Sequence, residues 1–271
     1  MSYIEDMFGL EGKTAIVAGG AGVIGTMMSN ALLKAGANVV VWSRTQASID
    51  QALAKLAENG SSQERTAGFQ VDTGDESEVA GGLQHTLGTF GPPQILINAV
   101  GGVVGKAPFV ETDVKQFEQT LHLNLVAGLM TTTKVIAAYW IEKEIKGAII
   151  NLTSMASYNP LSGVLGYGAA KAGVLNLTVA GAKEFAPHGI RVNAIAPGFF
   201  LGKQNRALLV NQETGDYTPR GKAVIGHTPF GRFGKVEELM GATLFLASNR
   251  ASGFITGVSI PVDGGYLAHN I

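Results

Sequence analysis

The chain has 271 residues, enough to bury a large core in one α/β unit, and it is 46% hydrophobic but only 15% charged, against about 25% charged in an average soluble domain, a deficit that points to surface buried between subunits. Twenty basic and 21 acidic residues leave a net charge of −1 with no basic block, which argues against a nucleic-acid partner, and the lack of cysteine excludes disulfides, thiolate metal sites and a cysteine nucleophile. Glu5 and Asp6 near the start do not fit a signal peptide, and no apolar run reaches the ~18 residues of a membrane span, so a cytoplasmic protein without membrane contact is expected.

Short apolar runs alternate with helical patterns along the chain. Residues 14–18 read as a buried strand and 23–35 as a helix stopped by Gly36. A strand over 38–42 and a helix over 48–58, ended by Asn59-Gly60, follow. Next come a strand over 68–71, a helix over 76–90 and a strand over 94–98. Asp113 is placed to cap a long helix, whose apolar positions Val114, Phe117, Leu121 and Leu125 keep helical spacing. Beyond it lie a strand over 148–152, a helix within 163–186, a strand over 191–196, a helix over 236–247 and a last strand over 258–262. This alternation predicts an α/β fold: parallel strands with right-handed crossover helices on both faces of the sheet. Residues 198–234 break the pattern. They are polar and rich in Gly and Pro, and a stretch of that kind inside a folded unit reads as a lid or binding loop. Residues 172–182 are apolar nearly all round, interrupted by Asn176 and Thr178, which predicts a helix buried on every side at a subunit interface.

The first strand runs into Gly19-Gly20-Ala21-Gly22-Val23-Ile24-Gly25, a G-x-G-x-x-G between strand and helix. Such a loop lets a dinucleotide pyrophosphate approach the backbone and the free N–H groups of the helix start; a plain flexible turn is the bland alternative. Where an acidic residue would hold the adenosine ribose, after the second strand, the sequence has Trp42-Ser43-Arg44-Thr45. Arg44, helped by the Ser43 and Thr45 hydroxyls, is suited to a 2′-phosphate. NADP is therefore the preferred cofactor, with NAD possible; the alternative is that Arg44 is only a solvated helix-start residue.

Tyr167 and Lys171 lie one turn apart on a helix, close enough for an ammonium to lower the phenol's pKa and make it an acid/base near neutrality. Ser154 follows the fifth strand, and Asn124 interrupts an apolar helix where asparagine is unfavourable. With these residues in view, the chain resembles the short-chain dehydrogenases/reductases over essentially its whole length. The matching pieces are the glycine loop, Asp72, Asn98-Ala99-Val100-Gly101, Asn124, Ser154, Tyr167-x-x-x-Lys171, Arg191-Val192-Asn193, Pro197-Gly198 and Val262-Asp263-Gly264-Gly265.

The resemblance implies a single Rossmann domain over 1–271 with a seven-stranded sheet, a substrate lid at about 198–234 and a homotetramer. It implies that Tyr167 donates the proton in reduction, that Ser154 positions the carbonyl oxygen, that Lys171 binds the nicotinamide ribose and tunes Tyr167, and that Asn124 holds a water behind Lys171. Asp72 is expected to reach the adenine and Asn98 the adenosine side. Gly19, Gly22, Val23, Ile24, Gly25, Thr73, Gly101, Pro197 and Gly198 complete the cofactor surface. The chain departs from the family pattern at Ala18, Val23, Ala99-Val100 and Gly202, leaving the catalytic four intact.

The segment after Pro197 is similar to a subgroup of D-mannonate oxidoreductases, or fructuronate reductases, with gluconate 5-dehydrogenase-like proteins next. A sugar acid needs a cation and hydrogen-bonding groups; Asn205, Arg206, Arg220 and His227 are of the right types, although Arg220 and Arg232 equally suit structural ion pairs. A 3-oxoacyl thioester reductase and a non-catalytic dinucleotide sensor are the competing readings. No metal is expected: His85, His122, His188 and His269 lack ligand spacing.

Overall fold

Each strand is a short apolar run, and alternate residues along it point to opposite faces. In a computed structural model, which describes residues 2–60, 62–202 and 206–269, seven parallel strands form one sheet in the order β3-β2-β1-β4-β5-β6-β7. They are β1 (Thr14–Ala18), β2 (Asn38–Ser43), β3 (Thr66–Gln70), β4 (Ile95–Asn98), β5 (Ala148–Leu152), β6 (Arg191–Pro197) and β7 (Ser259–Val262). Val17, Val39, Val41 and Ile97 pack on one face against Met28, Leu32 and Leu246. Ile16, Val40, Trp42 and Leu96 pack on the other against Leu83, Ile136 and Trp140. Both faces are covered, which is why the strands read as continuous apolar runs. The seven-stranded Rossmann fold expected from the sequence is what forms.

The covering helices on the first face are α2 (Val23–Lys34), α3 (Gln46–Glu58) and α10 (Met240–Ala247); on the second they are α4 (Glu76–Phe90), α6 (Thr131–Glu142) and α7 (Leu165–Phe185). Strand order reverses between β1 and β4, which opens a crevice at the carboxyl ends of the central strands. A buried polar ladder ties these strands beneath the crevice. Asn98 Nδ2 donates to Asn151 Oδ1 at 2.9 Å, Asn151 Nδ2 donates to the Thr178 hydroxyl at 3.0 Å, and the Thr132 hydroxyl donates to Asn98 Oδ1 at 2.7 Å. Arg191, at the base of β6, donates to Asn249, Ser252 and the Leu246 carbonyl and so fastens the strand to the end of α10.

Three expectations need correction and one element is new. The helix after Asp113 is not continuous. α5 (Val114–Leu121) passes into a π-helical stretch, His122–Met130, before α6, because the Asn124 side chain takes the Thr120 carbonyl at 2.8 Å and competes with the regular ladder. Taken together, Val114–Glu142 spans 29 residues and is long and apolar enough to cross a bilayer by length and composition. It is nevertheless a core element, with Asn124, Ile136 and Trp140 fully buried. Residues 198–234 are more regular than their composition suggests: they contain α8 (Arg206–Leu209) and α9 (Pro219–Gly226) around an apolar cluster of their own, Leu209, Val210, Val224 and Phe233. Finally, the start of the chain forms α1 (Tyr3–Phe8), capped reciprocally by Ser2 and Glu5, which the sequence reading passed over.

Candidate active site

The glycine loop lies at the crevice between β1 and α2. Gly19 has φ +76°, and a Cβ there would stand 2.7 Å from the Val100 backbone nitrogen, so only glycine lets the loops after β1 and β4 meet. Gly22 caps α2 without any side-chain hydrogen bond, which leaves the first N–H groups of the helix, from Val23, Ile24 and Gly25, to a ligand. A side-chain-free cradle ending on open helix donors fits a dinucleotide pyrophosphate.

At the end of β2, Arg44 is exposed and has no ion-pair partner among the described residues. Ser43 and Thr45 are less available than expected. The Ser43 hydroxyl is bonded to the Ser48 hydroxyl at 2.8 Å, and Thr45 caps α3 by accepting from the Ser48 N–H. Asp72 is exposed beyond β3, with Oδ1 accepting from the Gly74 N–H at 2.9 Å, and Thr73 is buried beside it. Pro197 ends β6, and the Gly198 N–H donates to the Val262 carbonyl at 2.9 Å. Asn98 is a correction. It is buried and its amide is spent on Asn151, Thr132 and Thr133, so it supports the crevice floor and has no free group for the adenosine.

The four residues singled out for catalysis converge. β5 ends at Leu152 and the chain turns through Ser154, whose Oγ accepts from the Ala156 N–H at 3.1 Å. Ser157 in the same turn donates to the Lys171 carbonyl at 2.7 Å, fixing the turn to α7. The Tyr167 phenol lies near enough to the Ser154 hydroxyl to be influenced by it. Lys171 lies one turn further along α7, its Nζ 5.7 Å from the centre of the Tyr167 ring and donating to the Leu152 carbonyl at 2.8 Å. Asn124 closes the back of the site. Its Oδ1 accepts from the Gly102 N–H at 3.1 Å and its Nδ2 donates to the Gly102 carbonyl at 2.7 Å. A Cβ on Gly101 would stand 2.6 Å from Asn124 Oδ1 and 3.2 Å from Lys171 Nζ.

Burial sets the electrostatics. It pushes the Lys171 ammonium down to about 8. It also holds the Tyr167 phenol above its ordinary value, with the Ser154 hydroxyl pulling the other way. The sequence predicts a phenol lowered by its ammonium neighbour; in the protein, loss of water dominates and the shift is upward.

The substrate-side residues separate. Asn205 lies outside the described residues. Arg206 and Arg220 are exposed on α8 and α9. His227 follows α9, Nδ1 2.9 Å from the Ala223 carbonyl, its ring 5.2 Å from that of His269. Arg232 makes the structural ion pair considered for it, through two contacts to Glu238 at 2.8 and 2.6 Å. Sequence reasoning stopped at Gly101 and missed the rest of the loop after β4, where the Thr120 hydroxyl both donates to the Val104 carbonyl at 3.0 Å and accepts from its N–H at 3.1 Å; glycines at 102 and 105 are the signal that marked it.

Residues 19–267 match the sequence profile of a family described as enoyl-(acyl carrier protein) reductase. The chain is 38% identical to the uncharacterized oxidoreductase UxuB of Bacillus subtilis, over 96% of this chain and 97% of that protein. It is 34% identical to gluconate 5-dehydrogenase of Gluconobacter oxydans, over 96% of each. A crystal structure of a proposed D-mannonate oxidoreductase from Haemophilus influenza, with NAD bound, superposes with a TM-score of 0.89 at 31% identity, covering 98% of this chain and 99% of that one.

Proposed function

The chain belongs to the short-chain dehydrogenase/reductase family of oxidoreductases, and from that premise we propose that it is an NAD(P)-dependent dehydrogenase that interconverts a keto sugar acid and its alcohol, most specifically D-fructuronate and D-mannonate. The observation that carries the reading is the convergence of Ser154, in the turn after β5, with Tyr167 and Lys171 on α7, the Lys171 Nζ 5.7 Å from the centre of the Tyr167 ring, beside the crevice bounded by the glycine loop. The sugar-acid class is supported by the relatives named for gluconate and mannonate chemistry.

The residues supply the proton chemistry and the orientation. Ser154 holds the carbonyl oxygen at Tyr167, and its Oγ is itself fixed by the Ala156 N–H, so the geometry is set before substrate arrives. Tyr167 donates the proton to that oxygen in reduction and removes it in oxidation. A phenol held high by burial keeps its proton at neutral pH, which suits the donor role. Lys171 is held by the Leu152 carbonyl with its Nζ over the Tyr167 ring, where it binds ribose hydroxyls and steadies the charge that develops on Tyr167. Asn124 anchors Gly102 and thereby the loop that shapes the pocket over Lys171. When bound, the nicotinamide supplies or accepts the hydride.

The helix start at Val23, Ile24 and Gly25, with Gly19 and Gly22, would hold the pyrophosphate, and Asp72, Thr73, Gly101, Pro197 and Gly198 would border the cofactor. Arg44 selects NADP by pairing with the 2′-phosphate. Residues 198–234 act as the substrate lid, where Asn205, Arg206, Arg220 and His227 present polar groups. A cytoplasmic homotetramer is part of the same proposal, supported by exposed Val126, Met130 and Val179 on the π-helical stretch and α7.

Steady-state kinetics with D-fructuronate, 5-keto-D-gluconate and a 3-oxoacyl thioester, each with NADPH and NADH, test the reading. Turnover of a keto hexonate is expected. Arg44→Ala should raise the KM for NADPH by about 10- to 100-fold, the worth of a charge-assisted phosphate contact, and leave that for NADH unchanged. Equal use of both cofactors by the variant and the wild type would end the Arg44 assignment, and turnover of the thioester alone would end the sugar-acid one.

A further inference from the structure

Resting on the sugar-acid reading and taking it one residue further, we propose that Lys106 is the cation that receives the substrate carboxylate. A cleft runs from Tyr167 between the loop after β4, the first turns of α5 and the approach to α7. Tyr167 stands at one side of this cleft and Lys106 lines another. Lys106 is the one cationic side chain among the residues that line it, and Arg206, Arg220 and His227 are not among them. Asp113 also borders the cleft, with its Oδ1 held at the helix end by the Lys115 and Gln116 N–H groups at 2.7 and 3.1 Å. Lys106 itself is exposed and has no ion-pair partner among the described residues.

The backbone that carries Lys106 is fixed on both sides. Asn124 holds Gly102 through both its N–H and its carbonyl, Thr120 holds Val104 in the same double manner, and the Ala107 N–H donates to the Gly163 carbonyl at 3.1 Å. An ammonium on so constrained a loop loses little main-chain freedom on binding an anion. It shares its clamp with the catalytic wall, because Asn124 serves both. A six-carbon acid whose carbonyl lies at Tyr167 therefore has a counter-charge in the same cleft, and Gln116 and Thr112 line it too. The ammonium acts as a point charge on a flexible stem and so accepts sugar acids of differing hydroxyl configuration.

The experiment compares the full-length wild type with Lys106→Met, Lys106→Arg and Arg220→Met, using D-fructuronate, 5-keto-D-gluconate and the neutral ketose D-fructose. Lys106→Met is expected to raise KM for the acids about 10- to 100-fold, with kcat, its pH profile and the cofactor KM unchanged, and to narrow the preference for acid over neutral ketose. Lys106→Arg is expected to restore most of the loss. An unchanged KM for the acids in Lys106→Met, or a rise in Arg220→Met alone, overturns the proposal while leaving the sugar-acid reading in place. A wild type that turns over no keto hexonate removes that reading and the Lys106 assignment with it.

Discussion

On the wall built from β5, the π-helical stretch and α7, three of the side chains proposed for catalysis are buried and bound to fixed partners: Lys171 to the Leu152 carbonyl, Asn124 to Gly102 and Thr120, Ser154 to the Ala156 N–H. Across the site, residues 198–234 enclose a small apolar cluster of their own, and their cations Arg206 and Arg220 face solvent. The pairing of Phe200 with Gly234 closes the base of that segment, and it joins the main body through Phe200 in the core, the Gly198 N–H donating to the Val262 carbonyl at 2.9 Å and the Phe230 N–H donating to the Gly264 carbonyl at 3.1 Å. The chemistry needs groups held to a fraction of an ångström, which burial and saturated hydrogen bonding provide. Admission of substrate needs an element that moves as a unit, and an apolar cluster of its own suits residues 198–234 to the lid role proposed for them.

The contrast predicts that substitutions on the first wall act on kcat and those on the second on KM. Tyr167→Phe carries the largest effect, a fall in kcat of about 10³-fold with the melting temperature nearly unchanged, since the ring and its packing remain. Activity within tenfold of wild type would place the proton donor elsewhere. Lys171→Met is expected to lose activity and yet gain stability. The buried ammonium titrates at about 8 against an ordinary 10.5, so the unfolded chain holds the proton more tightly than the folded one. The resulting cost is full below about pH 8 and fades as pH rises toward 10.5. It amounts to roughly 3 kcal/mol at neutral pH, less about 1 kcal/mol for the lost bond to Leu152. Thermal unfolding from pH 7 to 10 should show the variant ahead at pH 7 and the lead shrinking with pH; a constant lead would mean that packing and not charge is responsible. Gly234→Val gives the smallest change. A Cβ there meets the buried Phe200 ring, which displaces the base of the second element by overpacking. KM for substrate is expected to rise about 5- to 10-fold with kcat within twofold. A fall in kcat at unchanged KM would show that this segment belongs to the catalytic wall after all.

Much of the wall was legible before any coordinates. Ser154, Tyr167 and Lys171 follow from spacing on a strand end and one helix face, and local geometry is enough to bring such residues together. Asn124 stood out as an asparagine misplaced in an apolar helix, but its consequence, a π-helical stretch and a clamp on Gly102, depends on a loop that arrives from β4. Asn98 was misassigned because an asparagine at the end of a strand looks the same in sequence whether it faces a ligand or a neighbouring strand. Only the pairing of β4 with β5, which sets Asn98 beside Asn151, decides between the two. The substrate-side cations were sought in the polar segment after Pro197, since composition marks exposure and cannot say which exposed cation shares a cleft with the catalytic phenol.

The order of strands and helices, the glycine cradle and the Tyr167–Lys171 pair were determined by the sequence alone, because each depends on residues within a turn or two of one another and on the alternation of apolar positions along a strand. The tertiary structure decided the pKa values, the partners of Asn98 and Asn124 and the neighbourhood of Lys106. These depend on burial and on contacts between segments far apart in the chain, where water is lost only when the sheet closes and its helices pack on it.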